Sequence, residues 1–329
     1  MLKPRVSLIL LVCNQHEFVA EAARSCLAQQ VDEPIEIVLS DDASSDGSFE
    51  VLQALAADYR GPHQVRARRN PVNLGIGAHF NVLMAETCGE LIVTAAGDDL
   101  ALPHRVQTLL RAWDDSAQRL DLLASHYRDM APDGSLGQVM AVDDLAQVGL
   151  AQWLQKRPFT HGATHAFTRR LMARFGPFVE DVWYEDLVMM FRAVLSGGAA
   201  TVSQPLLHYR RSGSSKGPAG LSVRGEDLLA WTRTQNRRVL AEIRQLTQDA
   251  ELVGCADALR RALAPQRDRE TFLKAQIDGP GLADRWQALR LASTLPLAWR
   301  WRKLLYFSRP EFAAAAAWVR RLKARRRGV

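Results

Sequence analysis

Asp98 and Asp99 are adjacent carboxylates lying just beyond a short apolar run, Leu91 to Thr94, in the stretch CGELIVTAAGDDLALP. Such a run reads as a buried strand. The small residues Ala95-Ala96-Gly97 then let something approach the backbone closely. Acidic residues at the C-terminal end of a buried strand sit where open α/β sheets bind ligands. Two hard oxygen donors there suit Mg²⁺ or Mn²⁺ holding phosphates. The same pair would also serve as a solvated turn before the helix expected from Arg105 to Trp113, whose first turn suits Pro103. A second pair, Asp41-Asp42, follows another apolar run in SDDASSDG, where Asx residues also shape turns. A third, Glu185-Asp186, opens a stretch of helical spacing and, without further context, reads as routine helix-start acids. His161 and His165, in HGATHAFTRR, either line a site or fill a core.

The elements that must position these groups alternate at short spacing. Val6–Val12 (VSLILLV) is continuously apolar, as in a parallel strand covered on both faces, and a helix is expected over 17–29. Ile35–Leu39 is a second strand, with a helix after it placing Phe49, Val51, Leu52 and Leu55 inward. A third strand over 64–68 leads through Asn73-Leu74-Gly75-Ile76-Gly77 into a helix reaching Glu86, and Leu91–Thr94 is the fourth strand. That order predicts a doubly wound α/β half-domain. Beyond it, Asp133-Gly134 signals a hairpin between 126–130 and 136–142. A helix is expected over 143–155 and a strand around 162–168. Leu187, Met190, Phe191, Val194 and Leu195 mark a further helix, stopped at Gly197-Gly198. SGSSKGPAG, residues 212–220, reads as a mobile loop, and the remainder as helical with breaks at Gly279-Pro280-Gly281 and Pro296. The expected division is a catalytic domain over 1–218 and a helical extension over 219–329.

Composition narrows the classes. A hydrophobic content of 47% and a charged content of 24% are ordinary for a globular protein. The net charge of +6 is uneven. From Arg300 onward ten Lys/Arg face one acid, Glu311, which is +9 and leaves 6 − 9 = −3 for the rest. A mildly acidic body with a basic tail argues against a nucleic-acid binder. The cysteines, Cys13, Cys26, Cys88 and Cys255, are scattered, which argues for a reducing compartment over a disulfide framework or a zinc site. With no signal-peptide pattern before Val6 and no apolar run of spanning length, a cytoplasmic protein is expected. In the tail, Trp299, Trp301, Tyr306, Phe307 and Trp318 stand among surplus cations, and 312–323 would form an Ala-rich helix too short to span. That mixture suits an anionic membrane surface, here the cytoplasmic face of an inner membrane. A solvated helical arm on the catalytic domain and an oligomer contact are the competing uses.

VSLILLVCN, SDDASSDGS, NLGIGAHFN, GELIVTAAGDD with its later proline, YED opening a helix, and LLHYRRSG occur in this order. The ordered set, over about residues 5–216, resembles the inverting family-2 glycosyltransferases of the bacterial cell-surface polysaccharide type. The resemblance implies a GT-A fold, a Rossmann-like nucleotide-diphospho-sugar transferase with a mixed α/β sheet flanked by helices, carrying here a helical C-terminal extension. It implies transfer of a sugar from a nucleoside-diphosphate sugar (UDP, dTDP or GDP) to a glycan or lipid-linked acceptor. Around the donor it places Asn14, Asp41, Asn73, Gly75 and Asp98, with Asp41 accepting a hydrogen bond from the nucleobase ring. Asp98, supported by Asp99, would hold the Mn²⁺ or Mg²⁺ that bridges the diphosphate, and Asp186 would be the general base on the acceptor side with Glu185, His161 and His165 around it.

The sequence departs from the family pattern at several positions. Val12 and Cys13 replace the usual Thr and Tyr, Ala96 replaces the first acid of the usual Asp-x-Asp, and Phe80 stands where many members carry arginine. Ser212 falls where relatives often have histidine, which leaves Arg210, Arg211 and Lys216 to supply charge near the diphosphate. A nucleotidyltransferase, another nucleotide-binding α/β protein, and a catalytically silent nucleotide-sugar-binding protein are the alternatives.

Overall fold

The computed structural model describes residues 3–211, 225–279, 281–292 and 294–308. Lys216, Ser212, the 212–220 loop and the tail from residue 309, including Trp318 and the helix expected over 312–323, lie outside the described residues. The chain divides into two compact units, Met1–Ser215 with Asp249–Gly254, and Lys216–Gln248 with Cys255–Val329.

The first unit begins with the expected alternation: β1 (Val6–Val12), α1 (His16–Leu27), β2 (Glu36–Asp41), α2 (Ser48–Asp58), β3 (Gln64–Arg69), α3 (Ile76–Glu86) and β4 (Leu91–Ala96). Strands β3-β2-β1-β4 pair in parallel, with Val12 opposite Asp41 and Leu11 opposite Ala96. That register brings Cys13, Asp42 and the Gly97–Asp99 turn to one end of the sheet. The continuous apolar runs follow from cover on both faces. Leu8 and Leu10 are buried with Val19 and Ala22 of α1 and Leu52 of α2. On the α3 side, Phe80 meets the rings of Phe167 and Phe178 at 5.2 and 5.3 Å. Phe80 is thus a core residue at the position where arginine is customary.

The sheet continues as β4-β8-β6-β9-β5. These elements follow β4 as β5 (Leu100–Ala101), α4 (Arg105–Asp115), β6 (Leu122–Met130), β7 (Leu136–Met140), α5 (Leu150–Gln155), β8 (His165–Thr168), α6 (Arg169–Phe175), α7 (Glu185–Val194) and β9 (Ala199–Arg210). β8 runs antiparallel to both neighbours, β9 is parallel to β6, and β7 closes a hairpin on β6 around Gly134, whose φ of +85° suits glycine. The sheet is therefore mixed.

Two local expectations are corrected. The helix expected over 143–155 is confined to α5, because Asp143 exchanges backbone and side-chain hydrogen bonds with Phe159 and Leu145 N–H donates to Thr201 Oγ1. The strand around 162–168 is shorter, since Gly162–Thr164 forms a 3₁₀ turn before β8.

The described part of the second unit is helical: α8 (Gly225–Leu252, whose last residues belong to the first unit), α9 (Ala256–Asp278), α10 (Leu282–Leu291) and α11 (Leu297–Ser308). Its small core gathers Phe272, Leu289 and Leu304, with Trp299 packed on Phe272. Among the described residues no helix is long and apolar enough to cross a membrane.

Candidate active site

A cleft of about 380 Å³ opens at the carboxyl ends of the parallel strands. Its floor is the end of β1, with Val12, Cys13 and Gln15. One wall is Asn73, Gly75 and His79, and the other is Trp183, Tyr184, Glu185 and Asp186. Of the residues singled out in the sequence, Val12, Cys13, Asp42, Asn73, Gly75, Glu185 and Asp186 line this cleft directly, whereas Asp41, Asp98 and Asp99 do not.

Asp42 builds the first wall. Its Oδ1 accepts from Asn70 Nδ2 at 2.7 Å and from Leu74 N–H at 2.9 Å, and its Oδ2 accepts from Gly75 N–H at 2.9 Å. The carboxylate replaces a strand partner for a turn whose Gly75 sits at φ +74°. At Gly77 a Cβ would lie 2.6 Å from Val182 O, so glycine is what lets α3 approach the segment leading to Asp186. Asp42→Ala would strand the Asn70 side-chain and Leu74 backbone donors and leave Gly75 N–H only its longer bond to Asn73 Oδ1. We expect it to destabilise the protein by about 3 kcal/mol, read as a lower midpoint in urea unfolding.

Asp41 is fully buried under this turn. Its Oδ2 accepts from Ser44 N–H at 2.8 Å and lies 3.3 Å from Arg69 Nε, whereas Oδ1 has no hydrogen-bond partner. Asn14, at φ +51°, donates its N–H to Ser44 Oγ and accepts from Ser45 N–H. It therefore staples the β1 end to the SDDASSDG turn. Cys13 accepts from Asn73 Nδ2 at 3.1 Å, and burial pushes its thiol pKa up.

The Asp98-Asp99 turn lies behind Gln15, whose side chain hydrogen-bonds Asp98. At Gly97 a Cβ would sit 2.5 Å from Gln15 Oε1 and 2.9 Å from Val12 Cγ2, so a larger residue would displace these side chains. Arg210 holds the turn from β9. Its N–H donates to Asp99 Oδ1 at 2.8 Å, and its guanidinium bonds Asp98 O, Pro132 O and Glu21 while stacking over Phe18. The guanidinium, expected to serve a diphosphate, is engaged by Asp98 O, Pro132 O and Glu21, while the Arg210 backbone holds Asp99. Burial raises the pKa of both carboxyls, that of Asp99 to about 8 with Asp98 adding repulsion. Asp99 Oδ2 is buried without a hydrogen-bond partner.

A divalent cation fits this pair, because it would restore the ionised form that burial disfavours. Among the described residues no three His, Cys, Asp or Glu side chains gather to hold a metal. The protein would therefore supply Asp98, backed by Asp99, and phosphate oxygens and water the remaining ligands, a division usual for Mg²⁺.

Asp186 stands in the first turn of α7. Its Oδ1 accepts from Leu187 N–H at 2.8 Å, and Gly162 N–H also reaches its carboxylate. The 3₁₀ turn carrying Gly162 is fixed from beneath: Thr94 Oγ1 lies 2.6 Å from Gly162 O, and the buried Arg105 donates to Ala163 O at 2.6 Å. A Cβ on Gly162 would fall 2.9 Å from Glu185 Oε1. α7 itself is anchored by the fully buried Arg192, which pairs with Asp249 of the same unit and faces the Phe175 and Phe178 rings. Burial raises the pKa of Asp186, and that of Glu185 is raised by burial and by Asp186 beside it.

The two histidines part company. His161 is partly buried beside Asp186, its pKa lowered by burial against the pull of Asp186 and Asp129. His165 is a buried strand residue outside the cleft, its pKa pushed down to about 3 by burial, so it is a neutral core imidazole and not part of an acceptor wall. Sequence reasoning missed Arg105, Arg192 and Gly162. Only Gly162, preceding a short apolar strand, carried a local signal.

The profile of Glycosyl transferase family 2 matches residues 7–171. An uncharacterized glycosyltransferase of Nostoc sp. is 25% identical over 232 residues, covering 68% of this chain and 69% of that protein. Mycobacterial relatives, uncharacterized proteins, are 31% identical over 211 residues, and the match spans 58% of their length. Among solved structures, S. aureus TarS 1–349 in complex with UDP-GlcNAc aligns with a TM-score of 0.54 at 17% identity, covering 92% of this chain and 89% of that one. The mannosyltransferase PcManGT of Pyrobaculum calidifontis, in complex with GDP-Man and Mn²⁺, aligns with a TM-score of 0.51 at 18% identity, covering 96% and 86%.

Proposed function

This chain belongs to glycosyl transferase family 2 and has the GT-A fold, and from that premise we propose that it transfers a sugar with inversion, using Asp186 as general base. The observation that carries the reading is that Asp186 lines the same cleft as the β1 floor and the Asp42-pinned turn, with the Asp98-Asp99 turn adjoining. An acceptor hydroxyl oxygen attacks the anomeric carbon, the bond from that carbon to the phosphate oxygen breaks, and the proton passes to Asp186. The nucleoside diphosphate leaves with the electron pair. A raised carboxyl pKa brings Asp186 closer to the hydroxyl it serves, which favours proton transfer near neutral pH. Mn²⁺ or Mg²⁺, when bound, would supply charge neutralisation at the diphosphate.

On the donor side, the buried Asp41 accepts from the nucleobase. Its Oδ1, buried without a hydrogen-bond partner, suits the ring N–H of uracil, thymine or guanine. The TarS complex with UDP-GlcNAc and the PcManGT complex with GDP-Man and Mn²⁺ support a donor of this class. Asn73 and Gly75 face the donor from the pinned turn, and Glu185 with His161 borders the acceptor. Incubating the protein with UDP-, dTDP- and GDP-sugars, with and without Mn²⁺, and measuring free nucleoside diphosphate tests the reading. Binding without release would instead favour a silent nucleotide-sugar-binding protein, the reading that Ala96 in place of the customary acid supports.

The second unit would bring the enzyme to an anionic membrane. On α11, Leu297, Trp301 and Leu305 recur every four residues and are exposed, Leu305 by 52%, and Trp286 of α10 meets the Trp301 ring at 5.0 Å. Arg290, Arg300, Arg302 and Lys303 lie on the same two helices. Apolar rings among cations match the headgroup region of an anionic bilayer. The expected outcome is that full-length protein pellets with phosphatidylglycerol vesicles and is released by high salt. Trp286→Ala with Trp301→Ala should weaken that binding by about tenfold. Equal pelleting with neutral and anionic vesicles, or none, would remove the membrane assignment.

A further inference from the structure

Next to Asp186, outside the donor cleft, three aromatic rings gather around His161. His161 stacks on the Tyr209 ring at 4.8 Å with 30° between the ring planes. Phe159 meets His161 edge-on at 5.2 Å, and the buried Tyr127 meets both His161 and Tyr209. Phe159 is 45% exposed. Its position is nonetheless fixed, since Asp143 N–H donates to Phe159 O at 3.0 Å and Phe159 N–H donates to Asp143 Oδ2 at 2.9 Å. The chain turns directly from His161 into Gly162, the residue whose N–H reaches Asp186.

We propose that the exposed Phe159 ring, braced by the His161–Tyr209 stack, is the shelf on which the ring of a sugar acceptor stacks, presenting its hydroxyl to Asp186. The inference rests on the transferase reading above and names the acceptor class: a glycan or glycoside, not a bare isoprenoid phosphate. A pyranose has one face of C–H groups, slightly positive, which fits the negative face of an aromatic ring. Its hydroxyls then point sideways to polar partners. Such partners border the shelf. Asp129, which acts electrostatically on both Tyr127 and His161, is paired with Arg211. The charge balance also decides between acceptors. Asp129 and Asp186 act on His161, and the Arg211 guanidinium is engaged by Asp129, so these acids disfavour an anionic phosphate at the shelf where a neutral sugar carries no such penalty. An exposed ring pinned on both sides of its peptide is pre-organised for contact, which lowers the ordering cost of binding.

The experiment is a transfer assay on the full chain with the donor that the nucleotide-sugar panel identifies. The acceptors are a panel of alkyl and aryl pyranosides, with undecaprenyl phosphate alongside. The expected result is transfer to at least one pyranoside, with its KM raised about tenfold by Phe159→Ala and restored by Phe159→Trp. A residue serving only the fold would not give a KM effect that a larger ring rescues. Transfer to undecaprenyl phosphate alone, no pyranoside accepted, or a pyranoside KM unchanged in Phe159→Ala each overturns the shelf. The transferase reading fails separately, when wild-type protein releases nucleoside diphosphate from no donor with any acceptor or with water.

Discussion

Asp186→Asn is expected to lower turnover by about two to four orders of magnitude while leaving donor affinity nearly unchanged. Asparagine preserves the shape of the side chain and can still accept from Leu187 N–H and Gly162 N–H, so the first turn of α7 should stay in place. What it cannot do is take a proton. The loss should therefore fall on kcat, and titration calorimetry with UDP or GDP should find wild-type affinity. A mutant keeping more than a tenth of wild-type turnover at saturating substrates would remove Asp186 from the role. The pH profile gives an independent readout. A base works only when deprotonated, and burial raises the Asp186 pKa above the ordinary aspartate value of 3.8. Activity should fall as pH drops through that raised pKa, so the acid limb of kcat/KM lies at higher pH than an exposed aspartate would give. Glu185, raised by burial and by Asp186, titrates with it, and the limb belongs to the pair. In Asp186→Asn that limb should vanish from the residual rate.

Asp98→Ala should abolish the Mn²⁺-dependent part of nucleoside-diphosphate binding and lower turnover by about a hundredfold or more. Asp98 is the more exposed of the two acids in its turn, whereas Asp99 is buried with Oδ1 committed to Arg210 N–H. Asp99→Ala should weaken metal-dependent binding less. It should also lower the melting temperature, because it leaves the Arg210 N–H without its acceptor. With Ala96 replacing a further customary acid, metal binding without nucleotide is expected to be weak. Calorimetry with UDP and GDP in EDTA and in Mn²⁺ makes the check, and equal affinity in the two for wild-type protein would contradict the assignment.

Strand ends and turn chemistry were the most legible parts of the site. A continuous apolar run such as VSLILLV has one common explanation, a parallel strand covered on both faces, so the carboxylates after such runs could be placed at one end of a sheet. The turn after β2 was legible as a turn, but its two acids divide differently from a local reading: Asp41 accepts from Ser44 N–H three residues on, whereas Asp42 reaches Asn70, Leu74 and Gly75 across 28 to 33 residues. The 143–155 segment was misread for the complementary reason. Its composition suits a helix, but its polar groups are claimed by residues distant in sequence, among them Phe159 and Thr201.

Sequence alone determined the parallel half-sheet, the strand ends that bear Asp41, Asp42, Asp98 and Asp99, and the helix start that bears Asp186. Each follows from periodicity and caps within a window of about a dozen residues. Only the tertiary structure decided that Arg210 holds the Asp98-Asp99 turn, reaching Asp99 across 111 residues and Glu21 across 189. It also decided that His165 is core while His161 faces Asp186, though four residues separate them. The difference is physical. A local pattern states which side chains turn away from water, and the identity of what they meet is set by pairings between strands that the chain visits far apart.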